Sequence, residues 1–141
     1  MQIVDALALI AVAGIWGGMA FFALVYAPLV FIKLDAATAG AFIRGVFPVY
    51  YLAMGTVSLA AAVLLAVGTT HGRLEVAVMA GVCTLFWVAR QALVPRINRA
   101  RDGRETDPGA RTRFERLHRL SVAINALQLL AVLVLLARFV G

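Results

Sequence analysis

The chain has 141 residues and a mass of 15.1 kDa; hydrophobic residues make up 63% of it, charged residues 14%, and its mean hydropathy is +0.94. A soluble domain of this size averages roughly 45 to 50% apolar and 25% charged residues and cannot bury more, so the chain reads as integral to a membrane. That excludes a soluble enzyme, a disulfide scaffold and a disordered regulator. Thirteen Lys and Arg against seven Asp and Glu give a net charge of +6 and a pI near 10.7, and twelve of the thirteen cations are Arg.

Between Asp5 and Lys33 stand 27 uncharged residues, and between Arg44 and Arg73 another 28. Each run exceeds the roughly 20 residues that a helix needs to cross the hydrocarbon. The start lacks a basic n-region and its uncharged run is too long for a signal-peptide core, so the first helix is expected to be retained. The predicted spans are about 3–32, 47–68, 74–94 and 117–139, in a single domain covering 1–141. The third reaches full length only by taking Arg90 inside the membrane. In loop one, Asp35 precedes Ala36, Ala37, Thr38 and Ala39, an N-cap pattern that predicts a short interfacial helix. Loop three breaks at Asp102-Gly103 and again at Asp107-Pro108-Gly109, so helix three should project past the membrane and helix four should begin near Arg111. The expected fold is an all-α four-helix membrane bundle with an Arg-rich cytoplasmic hairpin between helices three and four.

Four spans put loops one and three on one side of the membrane. That side holds ten cations, Lys33, Arg44 and the eight Arg between Arg96 and Arg119; the other holds two, Arg73 and Arg138, and Arg90 completes the thirteen. The positive-inside rule therefore predicts both termini outside the cytoplasm, in a multi-pass protein of the cytoplasmic (inner) membrane. The basic hairpin then faces anionic lipid headgroups rather than nucleic acid.

Helix four carries the clearest polar pattern. His118, Ser121, Asn125 and Gln128 stand at offsets of 0, 3, 7 and 10, which at about 100° per residue lie within about 80° of one another. One reading is interhelical glue; the other is the lining of a polar cavity open to the cytoplasm. By depth, Arg90 and Gln91 lie level with Ser121 and Asn125, and near Tyr26 and Tyr50 or Tyr51, which predicts an inner-leaflet polar cluster. The alternative for Arg90 is snorkelling to the interface, with the tyrosines an ordinary aromatic belt. Gly14 and Gly18 form a G-x-x-x-G face suited to close helix packing, within the bundle or between protomers. Met79 and Cys83 share a face, with Met19 and Met54 on other spans, but they sit at unequal depths for one thiophilic metal. His71 and His118 fall at opposite ends, so one haem cannot take both as axial ligands. Asp5, at the outer margin, is the only acidic candidate for proton coupling. Nucleotide-binding, nucleophile-elbow and zincin motifs are all missing, and no catalytic, cofactor or metal residue is assigned.

The segments Tyr26-Ala27-Pro28-Leu29-Val30-Phe31, Val46-Phe47-Pro48-Val49-Tyr50-Tyr51, Leu93-Val94-Pro95-Arg96-Ile97-Asn98 and Phe114-Glu115-Arg116-Leu117-His118-Arg119-Leu120-Ser121 follow one another along nearly the whole chain. In that order they resemble the transmembrane-protein-205-like family of small four-helix membrane proteins. The resemblance implies a bundle broadly similar to the CopD-like domains of copper resistance and to a haem-containing protoporphyrinogen oxidase. The oxidase pattern has a histidine in its first helix, and this chain has none there, so haem is not carried over. A vertebrate member is associated with resistance to platinum drugs, which implies export or membrane traffic.

The sequence thus points to a non-enzymatic polytopic protein that binds or moves a small molecule or lipid through an inner-leaflet polar cavity. Two other classes stay open: an accessory subunit or homo-oligomer docking through its Gly face and hairpin, and a haem- or copper-binding redox protein.

Overall fold

The computed structural model describes residues 3–68 and 72–140. They form four long helices: α1 (Ile3–Lys33), α2 (Ala36–Val67), α3 (Arg73–Glu105) and α4 (Ala110–Val140). All four are long and apolar enough to cross a membrane. Helix is the state such segments must adopt, because each backbone N–H and C=O is then satisfied inside its own segment. The connectors are short, so successive helices run antiparallel. α1 and α3 each pack against both α2 and α4, which closes a four-helix bundle.

The buried face of α1 is Asp5, Ala8, Val12, Ile15 and Met19, at the three- and four-residue steps of one helix stripe. It meets Tyr51, Gly55, Ser58, Ala62 and Leu65 of α2 and Met79, Val82 and Phe86 of α3 in one core, to which α4 adds Gln128, Val132 and Leu135. The opposite faces stay apolar and exposed: Ile10 is 67% exposed, Leu24 72% and Leu127 62%. Water would penalise such surfaces and lipid does not, which is the arrangement of a membrane bundle.

Caps and prolines shape the helices as chemistry requires. Asp35 has extended backbone and its carboxylate accepts from the N–H groups of Ala37 and Thr38 at 3.1 and 3.0 Å, as its N-cap pattern predicts. The helix it starts differs from expectation. Rather than a separate interfacial helix, residues 36–46 are the first three turns of α2, which continues through Pro48 without interruption. Only Leu34 and Asp35 separate α1 from α2. Pro48 lacks the N–H that would close one intrahelical hydrogen bond, yet the helix runs on past it.

Pro28 and Pro95 are accommodated in another way. Each follows a π turn, Phe22–Tyr26 in α1 and Ala89–Leu93 in α3, closed by Ala27 N–H to the Phe22 carbonyl and by Val94 N–H to the Ala89 carbonyl. The wider turn takes in one extra residue and relieves the clash of each ring with the turn before it.

The two ends of the bundle differ. At one, Glu75 accepts from Gly72 N–H at 3.0 Å and from Arg138 Nε at 2.6 Å, tying the start of α3 to the end of α4. At the other, α3 runs on to a 3₁₀ turn at Gly103–Glu105, and Asp107 accepts from Gly109 N–H at 2.8 Å before α4 begins at Ala110. This is the Arg-rich hairpin, with both breaks where its Gly and Pro residues predict them.

Candidate functional site

An aromatic cluster fills the bundle toward its Arg-rich end. Phe22 stacks on Tyr26 at 5.5 Å between ring centroids and on Tyr50 at 4.3 Å; Phe47 stacks on Tyr51 at 5.7 Å, and both tyrosines meet Phe86. The π turn in α1 carries Phe22 and Tyr26. The cluster therefore joins α1, α2 and α3, and it brings Tyr26 and Tyr50 together through Phe22.

Beyond it opens a cavity of about 210 Å³ to which every helix contributes. Its apolar side includes Phe31, Ile43, Phe47 and Ile97; its polar side is Arg44, Asn98, Arg101, Arg104 and His118. The cations are fixed in place. Arg44 grips both oxygens of Asp102, at 2.6 and 2.8 Å, in the bidentate geometry that a guanidinium and a carboxylate favour. Arg101 Nη1 donates to the Gly40 carbonyl at 2.7 Å, and the guanidinium occupies the space a Cβ on Gly40 would need. Arg104 lies over the Phe114 ring at 3.9 Å, a cation–π contact, and His118 stacks parallel on the same ring at 5.8 Å. Three cations against the single carboxylate of Asp102 leave the cavity wall positive. Such a wall is complementary to an anion, and the aromatic side to an apolar body.

The remaining residues singled out in the sequence lie deeper. Arg90 Nε donates to the Pro48 carbonyl at 3.2 Å, while Gln91 beside it is on the exposed face. Ser121 and Tyr51 hydroxyls are 3.4 Å apart, and Gln128 Nε2 donates to the Val82 carbonyl at 3.0 Å in the core. Asn125 is half-buried, and among the described residues it makes no hydrogen bond. Of the eight residues expected at one inner-leaflet cavity, His118 lines this one and the others do not. The stripe on α4 thus divides: its outermost member faces the cavity, Ser121 reaches the diagonal helix α2 and Gln128 bonds to the adjacent α3.

The glycine pair also divides. Gly14 is exposed with open space where a Cβ would stand, whereas a Cβ on Gly18 would come 3.1 Å from the Met54 methyl. In the core, a Cβ on Gly55 would stand 3.2 Å from the Trp87 indole nitrogen. Cys83 Sγ donates to the Gly55 carbonyl at 3.5 Å. His71 lies outside the described residues. Among those described, no three His, Cys, Asp or Glu side chains converge to hold a metal ion.

Arg44, Arg101, Arg104 and Phe114 were not singled out from sequence as cavity residues. The signal was present in part: Phe114 and His118 stand one helical turn apart, and Asp102 is one of few acids beside many cations.

Fold and site define an all-α, multi-pass membrane protein with a basic cavity at one end of the bundle. The chain belongs to the family described as a domain of unknown function, DUF4149, which matches residues 10–106. No curated protein and no solved structure matches it. The matched stretch covers α1 from residue 10 onward and all of α2 and α3, so Phe114 and His118 lie beyond it.

Proposed function

We propose that this protein binds a small anionic amphiphile, such as a lipid headgroup with its attached chain, in the cavity at the Arg-rich end. The observation that carries this reading is the pairing of surfaces in one pocket: Arg44, Arg101, Arg104 and His118 on one side, Phe31 and Phe47 on the other. Its volume of about 210 Å³ suits part of such a molecule rather than a whole drug-sized ligand. The order of motifs along the chain supports kinship with the transmembrane-protein-205-like group. Cation placement supports a cytoplasmic-membrane location with the Arg-rich end in the cytoplasm and both termini outside. In this reading the cavity takes its ligand from the inner leaflet, and His118 adds an aromatic, hydrogen-bonding side chain to the polar wall.

The test is thermal stability of the detergent-purified protein with and without phosphatidylglycerol. Lipid should raise the midpoint for the native chain. Replacing Arg104 by Gln and His118 by Ala should abolish most of that rise, because they supply the cation and the ring facing the cavity. Equal protection of both proteins by the lipid would overturn the assignment.

A further inference from the structure

A second basic site lies on the outside of the bundle, in the groove between α3 and α4. It has a volume of about 460 Å³ and is lined by Arg96, Arg99 and Ala100 from α3 and Arg113, Arg116 and Leu117 from α4. We propose that this groove binds a multiply charged phosphate, a phosphomonoester or a diphosphate, through Arg96, Arg99, Arg113 and Arg116.

The argument begins with what each hairpin arginine already does. Arg101 holds the Gly40 carbonyl and Arg104 the Phe114 ring. Arg111 pairs with Glu115 at 3.2 Å, and Arg119 Nε donates to the Glu115 carbonyl at 3.3 Å. Arg113 pairs with Asp107. Among the described residues, Arg96, Arg99 and Arg116 have neither an ion pair nor a side-chain hydrogen bond. These three are the ones that share a groove, and Arg113 is the fourth cation in its wall. No carboxylate lines it among the described residues. Four guanidiniums with one neighbouring acid, Asp107, leave a local charge of about +3.

That excess decides the ligand class. A monoanionic phosphodiester compensates one of the three charges, whereas a phosphomonoester carries about −1.5 to −2 and offers three acceptor oxygens. Guanidinium is the group that meets phosphate oxygens two at a time. The groove also has an apolar exit. Leu117 is followed along α4 by Leu120, Leu127, Leu130 and Val134, all exposed. A further groove of about 270 Å³, also between α3 and α4 but at the other end, includes Ala131, Val134 and Leu135. These stand 18 residues after Arg113, Arg116 and Leu117, which is five turns of an α-helix and therefore the same face, about 27 Å along. A chain attached to the phosphate has exposed apolar side chains of α4 to lie against.

Two sources supply this chemistry, a lipid such as phosphatidic acid and a soluble phosphate. The experiment uses the full chain in a neutral detergent, with native mass spectrometry reading bound phosphatidic acid, phosphatidylglycerol and inorganic pyrophosphate. Phosphatidic acid should bind at least about tenfold tighter than phosphatidylglycerol, because the dianion matches the charge excess. The variant R96Q/R99Q/R116Q should lose about tenfold or more in that affinity, whereas R111Q/R119Q, which also removes cations from the hairpin, should lose less than about two-fold. If pyrophosphate also binds and displaces the lipid, the ligand is a phosphate group irrespective of its chain; if only the lipid binds, those apolar side chains of α4 are part of the site. Equal loss in the two variants, or equal affinity for the two lipids, would show general attraction to a basic surface and overturn the proposal. The single exchange Arg116→Gln keeps the test valid should the triple variant fold poorly, since the Arg116 side chain is exposed and holds nothing in place.

Discussion

Tyr51 on α2 and Ser121 on α4 bring their hydroxyl oxygens to 3.4 Å across the diagonal of the bundle. Among the described residues the backbones of these two helices make no close contact, since each packs on α1 and α3 instead. The bond is thus a direct tie between opposite corners. The adjacent Tyr50 presents the opposite case, its hydroxyl buried with no hydrogen-bond partner among the described residues.

These neighbours should respond oppositely to the same change. Tyr51→Phe removes the diagonal bond and should cost about 0.6 kcal/mol, the typical worth of a side-chain bond between membrane helices. Tyr50→Phe removes a hydroxyl that pays desolvation without a bond, and should be neutral or stabilising by up to about 1 kcal/mol. Unfolding of both variants in mixed micelles measures the difference. A clear loss for Tyr50→Phe would mean that its hydroxyl is bonded in the bilayer.

Glycine positions should separate in the same assay. Gly55→Ala forces a Cβ against the rigid Trp87 indole at 3.2 Å and should destabilise by about 1 to 3 kcal/mol, the usual cost of overpacking. Gly14→Ala enters open space and should stabilise slightly, through the roughly 1 kcal/mol preference of helices for Ala over Gly. A large loss from Gly14→Ala, growing with protein concentration, would instead mark a contact between protomers.

Arg44 and Asp102 join the first turns of α2 to the end of α3, with side-chain exposures of 39% and 56%. A double-mutant cycle with Arg44→Gln and Asp102→Asn should give a coupling of about 0.2 to 1 kcal/mol, weakening as salt is added, as for other solvent-exposed pairs. A coupling insensitive to salt would contradict the exposed setting.

The turn between α3 and α4 should loosen in acid. Arg113 foremost, then the Gly109 amide, hold the Asp107 carboxyl below its ordinary value. A carboxyl depressed in the folded state contributes stability that is present above its unfolded value and lost as pH falls through the folded one. The contribution is therefore complete at neutral pH and disappears below about pH 4. Amide resonances of Gly109 and Ala110 followed down a pH titration should shift in that window, and Asp107→Asn should remove the shift. An unchanged titration in Asp107→Asn would assign the transition to another group.

The part of the fold written plainly in the residues is the part that depends on local chemistry. Runs of 27 and 28 uncharged residues demand membrane helices, because lipid leaves the backbone no other partner. Asp35 caps α2 and Asp107-Pro108-Gly109 turns the chain, since both effects act within a few residues. Clustering of eight Arg between residues 96 and 119 placed the basic end without reference to structure.

Partnership between residues was settled only by tertiary packing. In a membrane the lipid face is as apolar as the core, so periodicity alone did not distinguish Gly55, which packs under Trp87, from Gly14, which faces outward. The π turns at Phe22–Tyr26 and Ala89–Leu93 each insert one residue, which turns everything beyond them by about 100° and defeats face arithmetic based on a regular helix. Gln91 is on the exposed face and Arg90 bonds to Pro48 within that second π turn. Which arginines are spent on carbonyls, rings and carboxylates, and which three are left facing one groove, depended on distances between helices that no linear spacing encodes.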